Sequence, residues 1–254
     1  MNNKISLFDV TFLIPVRIDS IIRVENLLSS INSILSNFDT NIIVLESSRY
    51  NNHLLEKLLP NDVQYIFIED WDPVFHRTRY INELFDFSHT QIISIWDADI
   101  ILPAEQILDA INALRCGDAD VSFPYDGKFI NVPDPIRDIF IETSDINLLL
   151  ANTNKCTLPY GSNMGGGALF ITSEAYIKTN KEDERFYGWG PEDWNRIEKW
   201  KLYQLKFYRA EGPLFHLSHP RDINGSYSCD LQKRLAFSYL EQTRNSEIDD
   251  LQTK

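Results

Sequence analysis

Two segments, Trp96-Asp97-Ala98-Asp99 and Gly188-Trp189-Gly190-Pro191-Glu192-Asp193, carry the carboxylates whose setting points to chemistry. The first follows an apolar run through Ile92, Ile93 and Ile95 and places two carboxylates where a buried strand should end. Such a pair repels itself unless a cation sits beside it, and a hard divalent ion with oxygen ligands is the natural tenant. Taken alone, Asp-x-Asp also fits a solvated turn. The second segment sets Trp189, Glu192 and Asp193 in a glycine-flanked turn. An indole face there makes a platform for a sugar ring, beside a carboxylate able to take a proton; the plainer reading of Trp189 is a half-buried core aromatic.

His216 and His219 lie three residues apart just before Pro220. They could be ordinary loop histidines. Joined to Asp99 they make a nitrogen/oxygen donor set suited to Mn²⁺, with Mg²⁺ as the alternative. The H-E-x-x-H helix of zinc proteases is absent, and Gly165-Gly166-Gly167 lacks the Lys-Ser/Thr of a P-loop. Consecutive glycines before a strand would instead let a ligand approach the backbone.

The elements that must position these groups alternate. Strands are predicted over 10–16, 41–45, 63–68 and 91–96, and helices over 21–37, 54–59, 75–87 and 104–114. This rhythm predicts an α/β fold whose central sheet is mostly parallel and flanked by helices, with ligands at the carboxyl ends of its strands. Glu46 and the Asp97/Asp99 pair fall at such ends, and Glu46 is expected to contact the nucleotide-sugar. Residues 117–167 are rich in Pro and Gly and read as long functional loops. A short strand over 168–172 follows, with Ser173 as a helix cap, then a helix from Pro191 to Trp200 and a last helix from Leu231 to Leu240. Residues 245–254 read as a frayed tail. The whole chain, 1–254, reads as one domain: about 1–115 as a nucleotide-binding half, about 116–230 as an acceptor half, then the C-terminal helix.

With 43% hydrophobic residues the chain can build a core, and its net charge of −13 argues against nucleic acid as a partner. Cys116, Cys156 and Cys229 form no CxxC pair and fit a reducing compartment. No stretch approaches the roughly 18 apolar residues of a membrane span, and no leader pattern opens the chain. A cytoplasmic protein is expected, with peripheral membrane association left open.

In order, these segments resemble the β-1,4-galactosyltransferases and the related bacterial family 2 glycosyltransferases of the GT-A fold. Ile14-Pro15-Val16-Arg17 is similar to the family's nucleotide-binding strand end, and Phe75-His76-Arg77 through Asn82 to its Phe-Asn-Arg segment. Asp97-Ala98-Asp99 matches the metal motif, Gly165-Gly166 the donor loop, Gly188 to Asp193 the acceptor motif, and His219-Pro220-Arg221-Asp222 the closing His-Ser-Arg-Asp. The resemblance implies transfer of a hexose or N-acetylhexosamine, galactose or N-acetylgalactosamine favoured, from a UDP-sugar to a saccharide or glycolipid acceptor. It also implies inversion at the anomeric carbon and a place in bacterial surface polysaccharide synthesis. It assigns Pro15, Arg17, Phe75, Arg77, Asp97, Gly165 and Gly166 to the nucleotide-sugar, with Phe75 stacking on uracil. Asp99, His216 and His219 would hold the metal, Asp193 would be the catalytic base, and Trp189 and Glu192 would bind the acceptor. His216 stands where the animal enzymes carry Met, Pro191 replaces a glycine, and Trp194 replaces an acidic residue. Asn163 falls near the position where an aromatic side chain favours galactose, so a smaller residue there would admit an N-acetyl group. Two rivals are a sugar-1-phosphate nucleotidyltransferase, disfavoured by Ile18-Asp19-Ser20 where its basic glycine-rich loop belongs, and a non-catalytic nucleotide- or carbohydrate-binding module.

Overall fold

The computed structural model describes residues 4–161, 163–221 and 223–247. Its larger sheet is built from β1 (Ile5–Val16), β2 (Phe38–Ser48), β3 (Val63–Glu69), β4 (Ile92–Trp96), β6 (Val121–Phe123), β8 (Ala168–Thr172) and β9 (Phe207–Arg209), in the order β3-β2-β1-β4-β8-β6-β9. All neighbours pair parallel except β8, which runs antiparallel to β4 and β6. The sheet is therefore mostly parallel, as the alternation predicts. A smaller sheet takes β5 (Ile100–Ile101), β7 (Phe129–Val132) and β10 (Leu214–Leu217) in the order β5-β10-β7.

Helices α1 (Ile21–Asn37), α2 (Leu54–Leu58), α3 (Arg77–Asp86) and α4 (Ala104–Arg115) follow the first strands. In α1 the apolar positions Val24, Leu27, Ile31 and Ile34 are buried, and the Ser20 side chain caps the first turn by accepting from Arg23 N–H. Helices α5 (Asp134–Thr143), α6 (Ile146–Ala151), α7 (Ser173–Lys178), α8 (Glu192–Leu202) and α9 (Asp230–Arg244) complete the chain. The main core runs through β1, β2, β4 and β8, while a second cluster around Phe140, Phe215 and Leu217 lies under the smaller sheet.

The region 117–167, expected as long loops, instead contains β6, β7, α5 and α6. Pro133 and Pro135 mark a helix start there: Pro133 is the cap residue of α5 and Pro135 sits in its first turn, where no backbone N–H is needed. The cap of α7 is Thr172, whose hydroxyl accepts from Ala175 N–H, and Ser173 is the first helical residue. Among the described residues no helix is long and apolar enough to cross a membrane.

Candidate active site

Strand pairing builds the site. Register Trp96↔Ala168 sets the glycine run beside Asp97, whose N–H donates to the Gly167 carbonyl at 2.8 Å. Antiparallel pairing of β5 with β10 matches Ile100 to His216, and Leu217 N–H donates to the Asp99 carbonyl at 2.9 Å. Two chain segments more than a hundred residues apart thus meet at Asp99.

At that meeting point His219 Nε2 lies 3.1 Å and His216 Nε2 3.6 Å from Asp99 Oδ2. One ligand atom from each of the three falls within 4.8 Å of the others, the only such group found among the described residues. Burial pushes His216 down to about 4 against the pull of Asp99, so its imidazole is neutral near pH 7. Its Nδ1 is buried with no protein partner. Burial alone would raise the Asp99 carboxyl, but His216, His219 and Arg23 hold it well below the ordinary carboxylate range. An ionised carboxylate, a neutral imidazole and a second imidazole fit a divalent cation such as Mn²⁺.

The triad is braced by buried polar residues of α1. The Asn26 amide donates to the carbonyls of Leu217 and Ser218 at 3.3 and 3.2 Å, and accepts from Arg137 Nε at 2.8 Å. Ser30 Oγ donates to the Ile100 carbonyl at 2.8 Å and accepts from Trp96 Nε1 at 3.0 Å. One helix face therefore ties the histidine segment to the aspartate segment.

The second carboxylate site opens α8. Asp193 Oδ1 lies 2.7 Å from Arg196 Nη1, and Arg196 is clamped on its other side by Glu182 at 2.8 and 2.9 Å. Arg77 joins the halves: its Nη2 is 2.6 Å from Asp97 Oδ1 and its Nη1 3.6 Å from Asp193 Oδ1. Burial would raise the Asp193 carboxyl, but Arg196 and Arg77 hold it below its ordinary value. Its neighbour Glu192 moves the other way, pushed up to about 8 by burial and by the charge of Asp193. At pH 7 the pair divides into an ionised Asp193 and a neutral Glu192. The Asp97 carboxyl is raised by burial, opposed by Arg77 and assisted by Asp99 and Asp193.

Both carboxylate sites open on one cavity of about 770 Å³, within the range usual for small-molecule sites. It contains every residue assigned above to donor, acceptor or metal except Glu46. The structure does not bring Glu46 to the cavity: it is buried and accepts from the Tyr65 hydroxyl at 2.7 Å, a contact within the sheet's own packing. Arg17 reaches the cavity, but its nitrogens donate to Ser47, Asp70, Asp72 and Pro73 at 2.8–3.4 Å. In this structure it fastens the 70–73 loop, and its guanidinium lies over the Phe75 ring at 5.5 Å. Gly165 and Gly166 line the cavity, yet their missing Cβ atoms make room for Ile197 and Asp193 side chains as well as for a ligand. Asn163 is not part of the lining; Tyr160 and Met164 are. Asp222 lies outside the described residues.

Trp189 and Tyr227 form a T-shaped pair with centroids 4.9 Å apart, and the Gln232 amide donates to the carbonyls of Tyr187 and Trp189 at 2.8 and 2.9 Å. Helix α9 thus latches the turn at Gly188–Asp193 and adds Phe237, Leu240 and Arg244 to the cavity wall. Sequence reasoning missed these and Arg23. Arg23 carried a signal: it sits one turn after Asp19 beyond the end of β1, and the two pair at 3.1 Å.

The family model described as the N-terminal domain of galactosyltransferase matches residues 148–221, a span holding the glycine run, Glu192, Asp193 and both histidines. None of the curated proteins matches the chain significantly. Among solved structures, the catalytic domain of a Drosophila β1,4-galactosyltransferase 7, in complex with xylobiose, is similar with a TM-score of 0.54 and 18% identity. The similarity covers 94% of this chain and 82% of that one. The fold is that of the GT-A glycosyltransferases, and fold and family-model match together support a glycosyltransferase.

Proposed function

We propose that residues 1–254 form one metal-dependent inverting glycosyltransferase domain, moving a hexose or N-acetylhexosamine from a UDP-sugar to a saccharide acceptor. The observation that carries this reading is the pairing of an ionised Asp193 with the Asp97/Asp99 segment across one cavity, joined by Arg77.

The donor half comprises Phe75, Arg77, Asp97 and the glycine run, with the uracil expected against Phe75. Asp99, His216 and His219 would hold the ion; when bound, it neutralises charge on the departing diphosphate. Arg77 screens Asp97 from Asp193: its Nε and Nη2 donate to Asp97 Oδ1, and its Nη1 lies 3.6 Å from Asp193 Oδ1. Asp193 accepts the proton of the attacking acceptor hydroxyl. Glu192, which keeps its proton and lines the cavity beside Asp193, is assigned to the acceptor. Trp189, exposed and lining the cavity, offers a surface on which an acceptor ring stacks.

Asp193→Asn tests the assignment. UDP and Mn²⁺ affinities should stay close to wild type while turnover falls by about 10²–10⁴-fold. Near-normal transfer by this variant, across a panel of UDP-sugars and simple glycosides, would remove Asp193 from the mechanism.

A further inference from the structure

The triad of Asp99, His216 and His219 already has a cation beside it. From α1, Arg23 Nη1 lies 3.8 Å from Asp99 Oδ2, and Nη2 lies 3.2 Å from His219 Nδ1. The same guanidinium is held by Asp19 through Nε and Nη2 at 3.1 and 3.3 Å, and both residues line the cavity. A divalent ion on the triad would bring a second positive centre against this guanidinium. The two repel unless an anion lies between them, and a diphosphate is such an anion: some of its oxygens can face the ion while others accept from a guanidinium.

The His219 ring adds a second contact. Its Nε2 lies 3.1 Å from Asp99 Oδ2 and its Nδ1 2.8 Å from the Pro220 carbonyl, an obligate acceptor that takes the Nδ1 proton. Arg23 Nη2, 3.2 Å from the same Nδ1, therefore sets a positive group against the ring that would face the ion.

We propose that Arg23 couples the metal to the donor: it opposes entry of the bare ion and favours the ion together with a nucleoside diphosphate. Asp19 and Asp99 hold it in the donor-free protein, and the diphosphate draws it away. The proposal rests on the metal-dependent reading above and adds to it a residue and an order of binding.

The test is Mn²⁺ binding, followed by the electron paramagnetic resonance of the free ion, with and without UDP, in wild type, Arg23→Ala and Arg23→Lys. In wild type UDP should tighten Mn²⁺ by about tenfold or more, and by linkage Mn²⁺ must tighten UDP by the same factor, which calorimetry checks. In Arg23→Ala the bare ion should bind more tightly than in wild type, and the coupling should shrink to about threefold or less. Arg23→Lys keeps the charge without the planar fork and should fall between, and it decides the matter should the alanine variant not fold. Wild-type coupling in the variants, or weaker binding of the bare ion by Arg23→Ala, overturns the proposal alone. Failure of wild type to bind Mn²⁺ even with UDP overturns both it and the metal-dependent reading. Coupling as expected without sugar transfer to any acceptor supports it and overturns only the transfer reading.

Discussion

Gly166 and Asp193 share a space that only one side chain can fill. A Cβ at residue 166 would come within 2.9 Å of Asp193 Cγ and overlap Oδ2. The glycine run is therefore part of the carboxylate's seat. Gly166→Ala should displace Asp193 while leaving the triad of Asp99, His216 and His219 intact. Since a misplacement of roughly 1 Å can lower a rate by about 10²-fold, kcat should fall on that scale while calorimetry shows Mn²⁺ affinity little changed. Unaltered kcat would mean the carboxylate has room to shift without consequence.

Neutral Glu192 makes a pH prediction with a definite sign. Its folded-state value is pushed up to about 8, above the ordinary glutamate range. Between that range and about 8 the folded protein holds a proton that the unfolded chain has released, so stability from this group is lost as pH rises. Glu192→Gln mimics the protonated form. Its Tm, read by calorimetry, should decline less than that of wild type from pH 5 to pH 9, with the gap widest at the alkaline end. Parallel Tm profiles would show that Glu192 ionises normally.

Arg196 is buried between Glu182 and Asp193. Arg196→Ala strands the buried Glu182 carboxylate and should destabilise the fold by about 3–5 kcal/mol in urea unfolding. It also removes the strongest of the charges that oppose protonation of Asp193. The acidic limb of kcat/KM should consequently move to higher pH, because the base is then lost earlier on acidification. A limb that stays in place would assign it to another group.

Much of this architecture is legible in the residues themselves. Helix α1 and strand β8 have the boundaries their apolar spacing predicts, because each has a single buried face or a continuous apolar run. The hidden part lies where turn residues and structure coincide. The prolines before α5 read as loop although they occupy helix-start positions, and β10 is a four-residue strand whose partners are remote in sequence. The same remoteness explains the site. Asp99, His216 and His219 are visible as residue types and by resemblance, whereas Arg23 and Asn26 look like ordinary polar positions on an amphipathic helix. They are drawn to the site because α1 packs beside β5 and reaches the segment after β10. Glu46 shows the converse: a strand-end carboxylate satisfied within the sheet.

Asn26→Ala would leave two carbonyls and the Arg137 Nε without their partner. Residues that orient metal ligands from behind typically contribute about 10–100-fold in affinity. Mn²⁺ binding in the presence of UDP should weaken by about that factor, alongside a stability loss of about 1–3 kcal/mol. Unchanged Mn²⁺ affinity would make Asn26 a packing residue only.

The polar stripe on α1 also limits how this protein can be re-engineered. A designer seeking a hardier enzyme would see Asn26 and Ser30, both fully enclosed, as openings for leucine. Those substitutions would strand the carbonyls, the Trp96 indole N–H and the Arg137 Nε that these side chains satisfy, and unfasten the histidine segment from the aspartate segment. The resulting protein would melt earlier and work worse. Thermal hardiness is better sought on the outer face of α4, which takes no part in holding those two segments together.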